Sequence, residues 1–288
     1  MFYPSPRPAG FDELVYYAER FDTVEVNSTF YRVPSPATTR RWAERTPPRF
    51  EFAVKLFQQF THPRMFAERS GGEASIGPAD VDAFRRALDP LAGAGKLGPL
   101  LAQFPPSFVR DEAAVAYLGW LLETFGDHAL AVELRHRSWS DAADDTRALL
   151  DAAGAAWVQI DEPKFRASIR QDFRATPGAL FYARLHGRNA REWWDHERTE
   201  DRYDYLYSSE ELEPFAEAVA DAARVARKIY LLLNNHFEAK AVANAAMLKH
   251  RLGQPLPGAY PEAFLSRFPA LAGTVTTSAR RPGPGSLF

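Results

Sequence analysis

The 288-residue chain contains no cysteine. This absence excludes disulfide bonds, thiolate zinc sites, iron–sulfur clusters and cysteine nucleophiles. The sequence also lacks any run of about 18 consecutive apolar residues, the length that a membrane-spanning helix requires. Its first residues show no basic segment followed by an apolar one, so no export signal is visible. We therefore expect a cytoplasmic protein that has no membrane partner.

Positive and negative residues are nearly equal in number. Lys plus Arg is 35 and Asp plus Glu is 37, which gives a formal net charge of −2. This balance provides no general attraction to nucleic acid or to anionic lipid, although it leaves room for a local basic patch. Hydrophobic residues make up 46% of the chain and charged residues 25%, so the composition excludes disorder of the whole chain.

Short apolar segments alternate with longer amphipathic ones along most of the chain. The predicted strands are Thr23–Thr29, Phe50–Phe57, Leu97–Phe104, Leu130–His136, Ala155–Asp161, Leu180–His186 and Lys228–Asn235. Alternation of strands and helices predicts an α/β fold with a parallel sheet, and a single (β/α) barrel typically requires about 250 residues. We expect one TIM-type barrel domain over residues 1–275 and a flexible tail over residues 276–288.

Several of the intervening helices have recognisable starts. Ser35 fits an N-cap, and Ser208 with Glu211 forms a capping box ahead of the helix that follows. Ser140 or Asp141 is predicted to cap the helix that precedes the fifth predicted strand. These starts support the strand–helix alternation.

Polar side chains occur near the C-terminal end of every predicted strand. Successive strand side chains face opposite sides, so residues two apart share a face. In parallel barrels the C-terminal ends of the strands carry the active site. We expect nine of these side chains to face one cavity and to form a connected network: Glu25, Lys55, Gln103, Glu133, Arg135, Asp161, Arg184, His186 and Asn234. Burial of so many charges is costly without compensation, which favours a ligand site over a set of purely structural pairs.

Five segments, in this order, resemble a known family. They are Thr23–Pro34 (TVEVNSTFYRVP), Leu97–Phe108 (LGPLLAQFPPSF), Val132–Trp139 (VELRHRSW), Arg184–Asn189 (RLHGRN) and Tyr230–Lys240 (YLLLNNHFEAK). Together they resemble the YecE-like family, domain of unknown function 72, over essentially Phe2 to Leu252. The resemblance implies a TIM-barrel-like fold and leaves the activity open, because the activity of the family is not established. It also implies the same nine site positions, with Asn27 and Tyr31 in addition.

The chain departs from the family pattern in one respect. Members of the family usually begin with a strand and a loop containing Gly and Trp, ahead of the Phe-Tyr-Pro that is Phe2–Pro4 here. The usual first strand is therefore missing, and seven strands are recognisable. Either the start lies upstream, or the barrel is open between the strands that contain Val24 and Tyr230.

Paired carboxylates indicate acid–base chemistry. Glu25 and Glu133 are the natural general acid and base, and Asp161 is a third candidate. Carboxylates that face one cavity tend to separate their pKa values, which catalysis near neutral pH requires. The neighbouring Lys and Arg side chains can instead hold all three carboxylates ionised, in which case the carboxylates are structural or position a ligand.

The same sequence also suggests three other kinds of site. His186 with the three carboxylates offers metal ligands, but the interleaved Lys and Arg oppose a cation, so we expect no metal and leave the cofactor open. Lys55 suggests a Schiff base, which the nearby carboxylates disfavour because they raise the pKa of a lysine. The segment Gly93–Gly98 matches G-x-G-x-x-G but precedes a strand, so it does not indicate a dinucleotide site.

The loops after the last two strands are a candidate phosphate site. In TIM barrels these loops commonly bind phosphate. Gly187 permits close backbone approach and Arg188 supplies a forked donor. Equally, Gly187 can simply form a turn and Arg188 can be solvated. Trp193 and Trp194 can stack on a base or sugar ring, although packing of the loop is favoured.

The sequence thus predicts an enzyme, a hydrolase or related acid–base catalyst that acts on a small phosphate- or sugar-containing substrate. Its predicted catalytic residues are Glu25, Glu133, Asp161, Lys55 and His186, and its predicted substrate-binding residues are Asn27, Tyr31, Gln103, Arg135, Arg184, Arg188 and Asn234. The competing interpretation is a non-catalytic binding protein for an anionic small molecule or for nucleic acid. A basic groove formed by Arg166, Arg170 and Arg174 would favour nucleic acid, which the net charge does not indicate.

Overall fold

The computed structural model describes residues 2–71, 76–173, 175, 180–193, 195, 198 and 200–277. Its strands are β1 (Thr23–Val26), β2 (Glu51–Lys55), β3 (Leu97–Gln103), β4 (Leu130–Glu133), β5 (Ala156–Trp157), β6 (Gln159–Asp161), β7 (Leu180–Leu185), β8 (Lys228–Leu233), β9 (Ala259–Tyr260) and β10 (Thr276–Thr277). Its α-helices are α1 (Glu13–Ala18), α2 (Ser28–Tyr31), α3 (Pro36–Glu44), α4 (Gln58–Thr61), α5 (Pro63–Ser70), α6 (Pro78–Gly93), α7 (Glu112–Thr124), α8 (Arg137–Asp141), α9 (Ala143–Ala152), α10 (Ser209–Ala222), α11 (Lys240–Arg251) and α12 (Glu262–Arg267). Within these ranges no helix combines the length and the apolar character needed to cross a membrane.

The strands pair in parallel and in chain order. One sheet has the order β1-β2-β3-β4-β5, and a second has the order β6-β7-β8. β5 and β6 are two halves of one predicted strand, separated by Val158, whose N–H donates to the carbonyl of Val132 at 2.9 Å. All seven predicted strands are therefore present, and the predicted α/β fold with parallel sheets is confirmed.

A small separate sheet changes the predicted boundary of the tail. β9 and β10 pair in parallel through Thr276 with Ala259 and Thr277 with Tyr260. The first two residues assigned to the tail from sequence thus belong to a strand. Residues 278–288, the remainder of that predicted tail, lie outside the described residues.

Helix caps show where local sequence decides structure. Ser35 accepts a hydrogen bond from the N–H of Thr38 at 3.2 Å, and Ser208 forms the predicted capping box with Glu211. The predicted cap at Ser140 or Asp141 is wrong, because both residues lie within α8 and α9 starts after Ala142 without a side-chain cap. β1 is also shorter than predicted, since the chain turns into α2 directly after Asn27.

Strand register fixes which side chains face the interior. In neighbouring parallel strands the aligned residues share a face. Gln103 aligns with Glu133, and Ile160 aligns with Arg184. Asp161 aligns instead with Leu185, so it faces the surrounding helices rather than the interior.

A gap separates the first and last strands of this arrangement. In the part of the chain that the structure describes, β1 is paired only with β2, and β8 only with β7. A cavity of about 1200 Å³ lies between them and is bordered by α10 and α11. Near the N-terminal ends of the strands, Glu51 of β2 accepts hydrogen bonds from Lys228 and Tyr230 of β8. Among the described residues, no backbone pairing therefore joins β1 to β8.

Gly187, which follows β7, allows the packing of its loop to be tested. Its φ is +89°, and an added Cβ would lie 2.7 Å from Cβ of Tyr205, whereas Gly95 has φ +66° and open space around it. Alanine in the left-handed region costs roughly 1–2 kcal/mol, and overpacking adds about 1–3 kcal/mol. We expect Gly187→Ala to lower the free energy of unfolding in urea by clearly more than Gly95→Ala does. Equal losses would contradict the described packing of this loop.

Candidate functional site

Arg184 lies at the centre of the interior polar network. Its side chain is 1% exposed, and its Nε and Nη2 donate to the two carboxylate oxygens of Glu25 at 2.8 and 2.5 Å. Its Nη1 donates to Glu133 and, at 3.1 Å, to Oε1 of Gln103. Tyr182, on the same strand, donates a further hydrogen bond to Glu25 at 2.8 Å. One guanidinium thus joins β7 to β1, β3 and β4 across the interior.

Both carboxylates of this network are held ionised. Burial alone would raise the pKa of Glu25, but the charge and hydrogen bonds of Arg184 hold it below its ordinary value. Burial likewise opposes ionisation of Glu133, yet Arg184 and then Arg135 hold its pKa well below the ordinary value. The expected separation of the two pKa values is therefore wrong: Glu25 and Glu133 shift in the same direction and neither is a proton donor near neutral pH.

His186 supports this core in its neutral form. Burial, followed by the charge of Arg184, lowers the pKa of His186 to about 4. The Asn234 amide nitrogen lies 3.1 Å from Nδ1, and Nε2 lies 3.4 Å from Nη2 of Arg135 and 3.5 Å from Nη1 of Arg184. His186 is fully buried within the network, and its catalytic role stays a prediction.

Lys55 is the basic group that this core leaves uncompensated. Its Nζ donates to Oε1 of Gln103 at 3.0 Å and lies 4.2 Å from the ring centroid of Phe30. It forms no ion pair with any carboxylate of the described residues. Burial, followed by the charge of Arg184, lowers its pKa to about 7. Glu133 and Glu25 raise this pKa as expected, but burial and the charge of Arg184 outweigh them.

Glu162 is an acidic group that the sequence reasoning missed. It is 6% exposed, and its Oε2 accepts no hydrogen bond from the described residues. Nη1 of Arg135 lies 3.4 Å from this oxygen. Burial raises the pKa of Glu162 despite the opposing charge of Arg135. The available signal in the sequence was the alternation of Val158, Ile160 and Glu162, because residues two apart share a face. The register aligns Ile160 with Arg184, so this face is the one that carries Arg184.

A second residue that the sequence reasoning missed lies beside the polar network. His62, which follows α4, is half-buried and its ring packs edge-on against Phe30 at 4.9 Å. Burial, and then the charge of Lys55, lowers its pKa to about 4. Tyr31 is 62% exposed and packs edge-on against the other side of this aromatic group. Asn27 is exposed and borders the cavity beside β1, so the two residues implied by the resemblance lie at the rim.

Asp161 and Arg188 form a separate pair outside the network. Nε and Nη2 of Arg188 donate to the two oxygens of Asp161 at 2.8 and 3.0 Å. The Tyr207 hydroxyl donates to Asp161 at 2.7 Å and accepts from the N–H of Gly187 at 2.9 Å. The predicted roles of Asp161 in catalysis and of Arg188 in phosphate binding are therefore not supported, because the two side chains satisfy each other and fix the loop after β7.

The remaining candidates have simpler outcomes. Trp193 is buried and packs edge-on against the rings of His186 and Tyr203, so it packs the loop rather than presenting a stacking surface. Trp194 and Arg174 lie outside the described residues. Among the residues that are described, no three His, Asp or Glu side chains are grouped so that they could hold a metal ion.

The central ion pairs lead to a first prediction for this site. Arg184→Met should lower the free energy of unfolding by about 3–5 kcal/mol, because it leaves the buried Glu25 without its ion-pair partner and Glu133 with Arg135 alone. Combining it with Glu25→Gln and Glu133→Gln should recover most of that loss. Chemical denaturation of the single and triple variants measures both effects. A mild single variant, or a triple variant no better than the single one, would contradict the central role of Arg184.

Lys55 leads to a second prediction, on pH dependence. Its pKa is about 7 in the folded protein and 10.5 ordinarily. Between these values the unfolded chain binds a proton that the folded protein does not, so the stability of the wild type rises with pH in this window. From pH 7 to 10, the wild type should gain about 2–4 kcal/mol relative to Lys55→Met. Parallel pH profiles of the two proteins, measured by urea denaturation, would show that Lys55 titrates normally.

Comparison with known proteins identifies relatives along the whole chain. Residues 1–264 match the family described as Protein of unknown function DUF72. The UPF0759 protein YunF of Bacillus subtilis (strain 168) is 30% identical over 269 residues, which are 90% of this chain and 93% of that protein. The UPF0759 protein YecE of Escherichia coli O157:H7 is 28% identical over 164 residues, which are 55% of this chain and 56% of that protein.

Solved structures agree with this assignment. A crystal structure of a DUF72 family protein from Enterococcus faecalis V583 has a TM-score of 0.76 at 26% identity, and covers 85% of this chain and 89% of that one. A crystal structure of a DUF72 family protein from Thermotoga maritima MSB8 has a TM-score of 0.69 at 35% identity, and covers 81% of this chain and 85% of that one. The resemblance predicted from the sequence is confirmed, and the chain belongs to the DUF72 family.

Proposed function

We propose that this protein is an enzyme that carries out acid–base or hydrolytic chemistry on a small phosphate- or sugar-containing substrate at the C-terminal ends of its strands. The observation that carries the proposal is the state of two groups beside the Arg184 network. Burial shifts the pKa of Glu162 upward and that of Lys55 downward to about 7. Shifts in these directions bring the pKa values of an acid and a base closer together, which is the arrangement that acid–base catalysis uses.

Charge cancellation around Arg184 explains why both groups approach neutrality. Glu25 and Glu133 are balanced by Arg184 and Arg135, to which they bond directly. Lys55 forms no ion pair among the described residues, and Glu162 shares Arg135 with Glu133, so desolvation favours the uncharged form of each. Glu162 is therefore the proton donor and Lys55 the basic partner in the proposed mechanism.

The rim offers groups suited to the rest of such a substrate. Nη1 of Arg135 faces Glu162, and the pKa of Lys164 is lowered by burial although Glu162 opposes this shift. Both cations can contact a phosphate or hydroxyl group next to the acid. The exposed ring of Tyr31 provides an apolar face of the kind that stacks on a sugar ring.

The same features support a TIM-type barrel that is open at one position as the scaffold. Seven parallel strand positions follow in chain order, and side chains from β1 and β7 meet in the interior. In such a barrel the C-terminal ends of the strands form the active site, which is where Lys55, Glu133 and Glu162 lie. This scaffold supports placing the chemistry at the network rather than at the helices.

A substrate screen with two matched variants tests the proposed function. Phosphoesters and glycosides are screened with the wild type, with and without divalent metals. Glu162→Gln should lower kcat by about 10²–10⁴-fold on any substrate found, because it removes the proton donor. Its melting temperature should stay close to that of the wild type, since Gln resembles the neutral acid. Glu133→Gln should instead lower stability as well, because it removes a partner of Arg184.

Two outcomes would contradict this proposal. Glu162→Gln with full activity would remove Glu162 from the mechanism. Binding of phosphate or sugar compounds without any turnover would favour the competing interpretation, a non-catalytic binding protein. The predicted basic groove for nucleic acid stays a prediction, and Arg166 and Arg170 are both exposed.

A further inference from the structure

We propose that Lys55 is a nucleophile that forms an imine with an aldehyde or ketone group of the substrate. This inference rests on the proposed function, because it uses the same site and the same neutral amine. It narrows the substrate to a small carbonyl compound that also carries hydroxyl or phosphate groups.

The position of Lys55 suits attack on a carbonyl carbon. It is the last residue of β2, and its amine points into the interior beside Gln103. The Phe30 ring lies under the amine, with 4.2 Å between Nζ and the ring centroid. The ring covers one side of the amine, and Gln103 is the hydrogen-bond acceptor that the structure gives it.

The other lysines show how unusual this placement is. The chain has 6 lysines against 29 arginines, and the structure describes all six. Lys228, Lys240 and Lys249 each pair with a carboxylate, from Glu51, Asp204 and Asp22 respectively. Lys96 donates to the carbonyls of Ala43 and Thr46, both at 2.5 Å, and Lys164 donates to the carbonyl of Ile160 at 3.3 Å. Lys55 is the lysine with neither a carboxylate nor a backbone carbonyl as its partner.

Protonation supports the geometric argument. With a pKa of about 7, roughly half of the Lys55 side chains carry a free amine at pH 7. For an ordinary lysine, with a pKa of about 10.4, fewer than about one in a thousand do. Burial also lowers the pKa values of Lys96, Lys164 and Lys240, but each of these amines is engaged by a backbone carbonyl or a carboxylate.

The proposed step needs no oxidant, reductant or metal. The nitrogen lone pair attacks the carbonyl carbon, a C–N bond forms, and the carbonyl oxygen takes up a proton to give a carbinolamine. The nitrogen then loses its second proton, the C–O bond breaks, and the oxygen leaves as water. A C=N bond has replaced the C=O bond. In total the nitrogen gives up two protons and the oxygen takes up two, so the step balances without a further reactant.

Reductive trapping tests the proposal directly. Glyceraldehyde 3-phosphate and dihydroxyacetone phosphate serve as probes, each with sodium cyanoborohydride at pH 7. Peptide mapping of the wild type by mass spectrometry should find the reduced adduct on Lys55 at least tenfold above any other lysine. Lys55→Met should lower total labelling at least tenfold. The matched control Lys240→Arg, which removes a lysine paired with Asp204, should leave labelling of Lys55 unchanged.

The outcomes separate this inference from the proposed function. Labelling spread over exposed lysines, with Lys55 unmodified, would overturn the inference even if Lys55→Met failed to fold, because the mapping uses the wild type. Loss of turnover in Glu162→Gln without any adduct on Lys55 would keep the proposed function and reject the imine. An adduct on Lys55 in a protein that turns over no substrate in the screen would keep the imine and reject the proposed acid–base enzyme.

Discussion

The contact of Arg184 with Glu25 and Glu133 is the interaction on which the rest of the structure depends. A buried guanidinium is tolerated only when its donors are satisfied, and here they are shared between β1, β3 and β4. The arrangement holds β7 against strands that are not its neighbours in the sheet. It also balances charge within the interior, so ionisable groups beside it have little net charge nearby that would stabilise their own charged forms.

That neutrality gives the interior two different populations of ionisable groups. Members of the first, which include Arg135 and Glu133, are bonded to one another and hold their charges. Members of the second, Lys55 and Glu162, lie at the edge and are desolvated without full compensation. Groups of the first kind fix the arrangement of the interior, whereas burial shifts the pKa values of the second kind towards their uncharged forms. Asp161 and Arg188 repeat the first pattern on the outer face and fix the loop after β7.

Alternation along strands predicted much of this site from sequence and failed where both faces of a strand are buried. Glu25, Lys55 and Glu133 were placed correctly because each strand end offered polar residues on one face. Asp161 was assigned to the wrong face, and Glu162 was missed, because Gln159 and Ile160 are both buried and only the pairing register shows which one faces inward. The pKa of Lys55 was misjudged for a related reason: sequence gives the number of nearby charges, but not which of them are already paired.

The gap between β1 and β8 means that the first and last strands are joined by side chains rather than by the backbone. Glu25 of β1 binds Arg184 of β7, and Glu51 of β2 binds Lys228 and Tyr230 of β8. Backbone pairing does not depend on pH, but a carboxylate whose pKa is lowered by its partner loses that stabilisation as pH falls through its folded-state pKa. Protonation of Glu25 therefore weakens its contact with Arg184, so acidification loosens the link between β1 and β7 while the backbone hydrogen bonds within each sheet remain.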